Sequence, residues 1–552
     1  MCSLVNTNII TKMFTSLFRI LMFIATCWTE VDLCLRRSSN EKNPVHDKGF
    51  DNLFRTNTEE LENVPIHFDK PIPRWITGTL IRNGPAQFEV GNRSFTHMFD
   101  GFGKLYSWRF QGNGSVYFST KFIKSEFYKK SISLSDISPY VMFGSTQPRF
   151  NPVQTLLALW RNMDNMNVNI YRFPSEKSHR GDFVSLTDVW DNYEIDPSSL
   201  GTIGYQHPTV PSTGGINSFI FRNIMSTPHP LPEYGTSNHF TFLLSLAVVP
   251  GFNHRISLIR IKSMMDREVV TQWTVNQHEA PYMHSFSVTP NYVILFSAPL
   301  FFNFHAFLVS GSVLKGLQWH GSEENMTIHV IDIKSGIIRT FTAPPVFYMH
   351  HINAFETWTN EIIIDLPTYR DASVILNLKT ETLLNRRKRN KLNPHSVLTR
   401  YGINLNKTQV SVKPFPESVK YPCVTKFDMP IINENYRSRN YCYVYGFVPK
   451  WDDKQYSQFA LVKKDLCGNG KDRMWFYPNH YPAEMWFIPF PAVNSTNLDE
   501  DAGYLLVPVL DGQKNVSYLA IIDAVSMKTS FTAYLPTRVP ETFHGRFFPG
   551  IE

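Results

Sequence analysis

Along most of the chain, apolar and polar positions alternate in short runs broken by turn residues. Between Leu105 and Phe122, Ser107, Arg109 and Gln111 alternate with Trp108 and Phe110. Gly112-Asn113-Gly114 interrupts the run, which predicts a hairpin. The same pattern predicts strands at Phe240 to Val249, Arg255 to Ile261, Met326 to Ile333, Ile337 to Thr342, Glu361 to Leu366, Tyr441 to Val448, Gln458 to Lys463, Tyr504 to Val509 and Tyr518 to Ile522. Helical periodicity is nearly absent. The exception is Asn151 to Asn162, where Pro152 opens a segment crowded with Val153, Leu156, Leu157, Leu159 and Trp160. Proline at the first turn followed by bulky apolar residues fits a helix lying in a bilayer interface or packed on the fold, and Leu156, Leu157 and Trp160 are its candidate membrane contacts.

Strands at this spacing imply an all-β fold that is closed or radially repeated. One phrase recurs: Ile195-Asp-Pro-Ser-Ser-Leu, Ile331-Asp-Ile-Lys-Ser-Gly-Ile and Ile522-Asp-Ala-Val-Ser-Met-Lys each give a strand end, an Asp, a turn and a second strand. A proline-marked connection then leads to His207, His350 or His544, and Ile261-Lys-Ser-Met-Met-Asp stands in the same relation to His284. A β-propeller would write this pattern if each innermost strand began with a residue facing the axis.

His284 heads a strand whose end, Tyr292 to Phe296, is apolar throughout. A strand apolar on both faces is buried on both, so an imidazole at its start needs a hydrogen bond or a metal. His207, His284, His350 and His544 share this position and form one candidate metal site. Four neutral imidazoles suit iron, copper, zinc or nickel and leave two positions of an octahedron open, as dioxygen binding at ferrous iron requires. Strand alternation turns His351 away from whatever His350 faces. Metal-bound imidazoles need their second nitrogen held, and Asp188, Asp428 and Glu484, each flanked by apolar residues, are the candidate partners.

Composition narrows the picture. The 552 residues are 43% hydrophobic and 14% aromatic, with 43 Phe, as a site for a long apolar ligand would need. A net charge of +7 is mild at this length and argues against nucleic acid as partner; the basic cluster Arg386 to Lys391 is expected to be a solvated loop. Six cysteines without a C-x-x-C pair exclude a disulfide scaffold and a zinc-thiolate site. No His-Glu-x-x-His, Gly-x-Ser-x-Gly or phosphate-binding loop is present. Residues 1–40 form a hydrophobic leader or membrane-proximal segment, whose uninterrupted apolar part, Ile20 to Ala25, is short for a transmembrane span; 41–552 is one domain. Sequons at Asn92, Asn113, Asn325, Asn406, Asn494 and Asn515 do not fix a compartment.

Gly78-Thr-Leu-Ile-Arg-Asn-Gly-Pro, Phe95-Thr-His-Met-Phe-Asp-Gly, Met283-His-Ser-Phe-Ser-Val-Thr-Pro-Asn-Tyr, His350-His-Ile-Asn-Ala-Phe-Glu and Phe543-His-Gly-Arg-Phe, in this order, give the chain its resemblance to the carotenoid cleavage oxygenases, in the animal branch with β-carotene oxygenases and a retinoid isomerohydrolase. The resemblance covers about residues 50 to 552. It implies a seven-bladed β-propeller with a helical and loop dome over its top face, and Fe(2+) on the axis held by His207, His284, His350 and His544. It places the second nitrogens on Asp188, Asp428 and Glu484. The family pattern favours three glutamates there, so the two aspartates predict longer or water-mediated contacts. Between Gly204 and His207 the chain is about a strand shorter than the family pattern, which predicts a rebuilt blade edge or weak iron retention. The membrane-facing segment, Pro148 to Trp160, lacks the family's cysteine.

The implied activity is cleavage of a carotenoid double bond by dioxygen to aldehydes, on a peripheral membrane surface. A retinoid isomerohydrolase and a catalytically weakened carotenoid-binding propeller are the alternatives. The implied location is the cytoplasm or the face of an intracellular (ER) membrane, with secretory entry through the leader left open.

Overall fold

In the computed structural model, residues 46–551 are described apart from 160, 162, 176–178, 211–216, 408 and 492–498. The leader, Trp160, Cys2, Cys27, Cys34 and Asn494 lie outside the described residues. Most of the regular structure of the described chain is antiparallel strands, and the alternation in the sequence places them well. The predicted hairpin pairs Phe102–Phe110 with Val116–Phe122, in register from Lys104 opposite Phe122 to Phe110 opposite Val116. Predicted strands appear as His239–Ala247, His254–Ile261, Met326–Asp332 and Gly503–Asp511, each within two residues of its expected bounds. Central strands are buried on both faces, as their apolar runs require: every residue of Val293 to Phe296 is buried.

Among the described residues, seven sheets have four or five strands, and two smaller ones have two and three. Three of the larger sheets are simple meanders, such as Asn353–Glu356, Glu361–Thr368, Val397–Asn404 and Val410–Pro414 in that order. The repeated Asp phrase is the hairpin turn of three of them. Asp332 Oδ1 accepts from the N–H of Ser335 at 2.7 Å, and Asp523 Oδ1 from that of Ser526 at 2.8 Å. Asp196 Oδ1 accepts from Ser198 N–H at 3.1 Å, so one side-chain acceptor replaces part of the turn's backbone bonding in every copy.

One sheet joins the two ends of the described chain. Gly78–Gln87, near the start, pairs with His544–Pro549, with Asn83 opposite His544 and Gly78 opposite Pro549. Residues 47–552 group as one compact unit.

Short helices occupy the longer insertions. Pro152–Ala158 is the expected helix: the Asn151 side chain accepts from Gln154 N–H, Gln154 reciprocates to the Asn151 backbone, and Pro152 sits at the first turn. Val153, Leu156 and Leu157 are 66, 59 and 56% exposed. The basic cluster differs from expectation. Arg386–Arg389 is a helical turn in which Arg389 is buried over the Phe50 ring and donates to Asp47 at 3.0 Å, so an ion pair and a ring fix one end of it. Cys442 and Cys467, 25 residues apart, form a disulfide, and Cys423 is buried outside any disulfide. A single bond beside so large an apolar core is a local tie, not a scaffold.

Candidate metal centre

The innermost side chains come from sheet edges. His284 stands just before the end strand Ser287–Val288, His350 before Asn353–Glu356, and His544 opens His544–Pro549. The fourth histidine at this centre is His229, in Thr227-Pro-His-Pro-Leu, which leads into the two-residue strand Leu231–Pro232. One nitrogen from each of His229, His284, His350 and His544 lies within 4.8 Å of the other three. His229 Nε2 is 3.1 Å from His284 Nε2, and His350 Nε2 is 3.2 Å from His544 Nε2. Two ligands roughly 2.1 Å from one ion and at right angles are separated by about 3 Å, so these spacings suit a first-row metal.

His207 is not at this centre, and the expectation that named it is corrected. It follows Thr202–Gln206, the end strand of its sheet opposite Asn169–Phe173, and Asn169 at the head of that other edge is the residue whose amide comes within 3.4 Å of His229 Nδ1. Its side chain is 55% exposed and pairs with Asp191. That hydrogen bond raises the imidazole pKa above its ordinary value, against burial, and favours a protonated ring with no lone pair for a metal. The apparent shortening before His207 therefore does not touch the site: the chain runs on to His229, and the argument for weak iron retention drawn from that shortening falls with it.

Three of the four rings are held from behind. His284 Nδ1 is 2.7 Å from Asp188 Oδ1, His350 Nδ1 is 2.6 Å from Asp428 Oδ1, and His544 Nδ1 is 2.8 Å from Glu484 Oε1. The expected lengthening at the two aspartates is absent. Asp428 opens the edge strand Asp428–Ile431, and Asp188 sits in the connection after Asp182–Leu186. A carboxylate acceptor at Nδ1 fixes the Nδ1–H tautomer and points the Nε2 lone pair at the centre. Among the described residues, no carboxylate stands behind His229.

The carboxylates are fixed in turn. Tyr369 donates to Asp428 Oδ2 at 2.7 Å, Met429 N–H donates to Asp428 Oδ1 at 2.7 Å, and Tyr282 donates to Asp188 at 3.3 Å. Arg82, fully buried, donates to Glu484 Oε2 at 2.7 Å. Burial alone would push the Asp428 and Glu484 carboxyls up; His350 beside the first, and His544 with Arg82 beside the second, hold both below their ordinary values. Burial pushes His544 down to about 4, against the pull of Glu484. It takes His229 well below the ordinary range, with the neighbouring histidines adding to the effect. The two rings are thus neutral at physiological pH, the form that binds a metal. His351 lies outside the cluster, with Nδ1 2.7 Å from Ser287 Oγ and its ring against Phe296 and Tyr348.

Two cavities meet at the histidines. One of ≈ 270 Å³ is lined mainly by apolar side chains, among them Phe99, Phe143, Met142, Leu244, Phe307 and Val313, and reaches His284, His350 and His544. A second of ≈ 70 Å³ touches His229, His350 and His544 from a polar side walled by Asn169, Glu434, Arg437 and Arg546. The sequence reading missed His229 for lack of an apolar strand after it; its signal was the pair of prolines, Pro228 and Pro230, that set it on an extended connection.

The family model described as "Retinal pigment epithelial membrane protein" matches residues 54–549. The chain is 23% identical to a Gallus gallus protein named beta,beta-carotene 15,15'-dioxygenase, over 90% of this chain and 98% of that one. It is 25% identical to a Galleria mellonella protein named carotenoid isomerooxygenase, over 89 and 94% of the two chains. Among solved structures, cobalt-substituted Synechocystis ACO superposes with a TM-score of 0.74 at 22% identity, covering 91% of this chain and 98% of that chain. An ACO/RPE65 chimera does so with a TM-score of 0.70 at 21% identity, over 91 and 98%. At these identities the likeness to solved structures establishes a shared fold.

Proposed function

Because the chain belongs to the retinal pigment epithelial membrane protein family, the carotenoid cleavage oxygenases, we propose that it is an iron(II)-dependent dioxygenase that cleaves a carotenoid double bond to two aldehydes, retinal or apocarotenals. The observation that carries this reading is the meeting of four inward-facing imidazole nitrogens with an apolar cavity. With three rings fixed as Nδ1–H tautomers, their Nε2 acceptors face one another in a buried space. Such lone pairs repel unless a cation lies between them, so the donor set fits a divalent metal. His229, His284, His350 and His544 would hold it. A ferrous ion there would supply the one-electron chemistry that lets dioxygen react with a closed-shell double bond.

The protein's own part is positioning. Asp188, Asp428 and Glu484 orient three rings, and Tyr282, Tyr369 and Arg82 hold those acids, so the donor set is preorganised. The cavity binds the polyene by burying its apolar surface and keeps water from the reacting bond. We read the seven larger sheets as seven propeller blades and the helix-bearing insertions as the dome. The exposed face of Pro152–Ala158, with Leu308 and Val309 of Phe304–Ser310, supports peripheral contact with a membrane, from which an apolar substrate would enter. A Cβ on Gly311 would come within 2.5 Å of Thr155 Cγ2, so the C-terminal end of the second helix touches the middle of the first, and Phe307 and Val313 line the cavity. Among the described residues no helix is long and apolar enough to cross a membrane.

The test is metal analysis of the purified protein with aerobic incubation on β-carotene in 18O-labelled dioxygen. Iron near one equivalent and labelled aldehyde products are the expected result. Turnover that persists without dioxygen would replace cleavage with isomerohydrolase chemistry, and iron-replete protein without products from any polyene would leave a binding protein.

A further inference from the structure

Among the polar residues that line the larger of the two cavities are four acids, Asp100, Asp188, Asp428 and Glu541, and all but one of them are committed. Asp100 accepts from the N–H groups of Phe143 and Gly144 at 2.7 and 2.9 Å. Asp188 is held by His284, and Asp428 by His350 and Tyr369. The remaining one is Glu541. It lines the cavity, is only 8% exposed, and its Oε2 has no hydrogen-bond partner. Its backbone is fixed by the N–H to Leu53 O bond at 3.0 Å, and Phe54, Tyr456, Phe459 and Phe543 share its part of the wall.

An unpartnered carboxyl in an apolar cavity costs stability, more when charged than when neutral. Burial is the larger influence on it and pushes its pKa up to about 8, so at neutral pH it is mostly the protonated acid, with an O–H to donate and a carbonyl oxygen to accept. Nothing in the fold uses either. Two residues separate it from His544, three steps and about 10 Å of chain at most, so its partner lies near the metal centre.

We propose that Glu541 is a specificity-determining residue that hydrogen-bonds an oxygen function, a hydroxyl or carbonyl, on the bound polyene, and that the preferred substrates are oxygenated carotenoids or apocarotenoids rather than hydrocarbon carotenes. This rests on the reading that the cavity holds a polyene. A site that hydrogen-bonds a substrate oxygen discriminates strongly against an analogue without it, because the protein group is then left buried and unpaired.

The experiment compares the metal-loaded full chain with Glu541→Met, of similar volume and without hydrogen bonding, and Glu541→Gln, which keeps a donor and an acceptor. Binding of β-carotene, a hydroxylated carotenoid and an apocarotenal is followed by fluorescence quenching, and cleavage by product analysis. The expected result is a preference of about tenfold or more for the oxygenated ligands in the wild type, lost in Glu541→Met and largely kept in Glu541→Gln. A wild type that binds the hydrocarbon as tightly as the oxygenated ligands, as it would if Glu541 held only water, overturns the proposal. So does an unchanged ratio in Glu541→Met. If Glu541→Met does not fold, the wild-type ratio decides alone. The expected shift in binding without cleavage of any ligand would sink the dioxygenase reading and leave this one standing.

Discussion

His229 and His284 bring their Nε2 atoms to 3.1 Å, yet only His284 has a carboxylate behind it. His229 meets the amide of Asn169 instead, whose Oδ1 already accepts from Ile170 N–H at 2.9 Å. The centre is thus asymmetric: three rings are anchored through acids and one is placed by its backbone, between Pro228 and Pro230. Replacing His229 with Ala should lower iron content to background, while His207→Ala should leave it at the wild-type level. Metal analysis of both proteins after identical purification decides between the two histidines.

The acids behind the rings allow a graded test. Asp428→Asn keeps the volume but removes the acceptor charge, and loss of such a partner typically costs about 10–100-fold in metal affinity. Competition with a chelator should show a loss of that size, with the fold retained. Affinity equal to wild type would mean that a neutral amide oxygen at position 428 orients the His350 ring as well as the carboxylate does.

Glu484 carries a second burden. Its partner Arg82 is fully buried and donates to it at 2.7 Å, so Glu484→Ala strands a guanidinium in the core. Breaking a buried pair from one side costs about 3–5 kcal/mol. Urea denaturation should show a loss of that order. Glu484→Gln, which still offers an oxygen to Arg82, should lose less.

These partnerships explain what could be read in advance. His350 precedes and His544 opens a strand, as the pattern announces, whereas His284 does not head the apolar strand: it precedes the two-residue strand Ser287–Val288, and the apolar run is the next strand, Tyr292–Ser297, paired antiparallel to it. His229 precedes a strand of only two residues, Leu231–Pro232, too short for any periodicity, and the pattern fell through to His207, which follows a longer strand at the wrong edge of its sheet. Asp188, Asp428 and Glu484 were recognisable because a carboxylate among apolar neighbours must have a partner. Their direct contact was not, because reach depends on where each backbone starts. Glu541 escaped notice for the same reason: Pro-Glu-Thr reads as a turn until the cavity wall is seen.

The exposed helix makes a separate prediction. Replacing Val153, Leu156 and Leu157 with Ser removes apolar surface worth roughly 1.5–3 kcal/mol per side chain when fully buried. The variant should move from liposome pellet to supernatant in a sedimentation assay with its iron content unchanged. Unchanged partition would assign membrane contact elsewhere or to none.

Glu541 gives a pH dependence whose sign can be worked out. Burial raises its pKa to about 8 in the folded chain from an ordinary 4.5. Between these values the folded state binds more protons than the unfolded one, so its contribution to stability falls as pH rises. The contribution is fully present below about 4.5 and lost as pH climbs through about 8. Glu541→Gln cannot titrate. The difference in unfolding free energy between wild type and this variant should therefore slope across pH 5–8, with the wild type losing ground toward alkaline pH. A difference independent of pH would mean that the carboxyl is ionised in the cavity throughout, held by the charge of Arg82, and the oxygen function it meets would then have to be a donor.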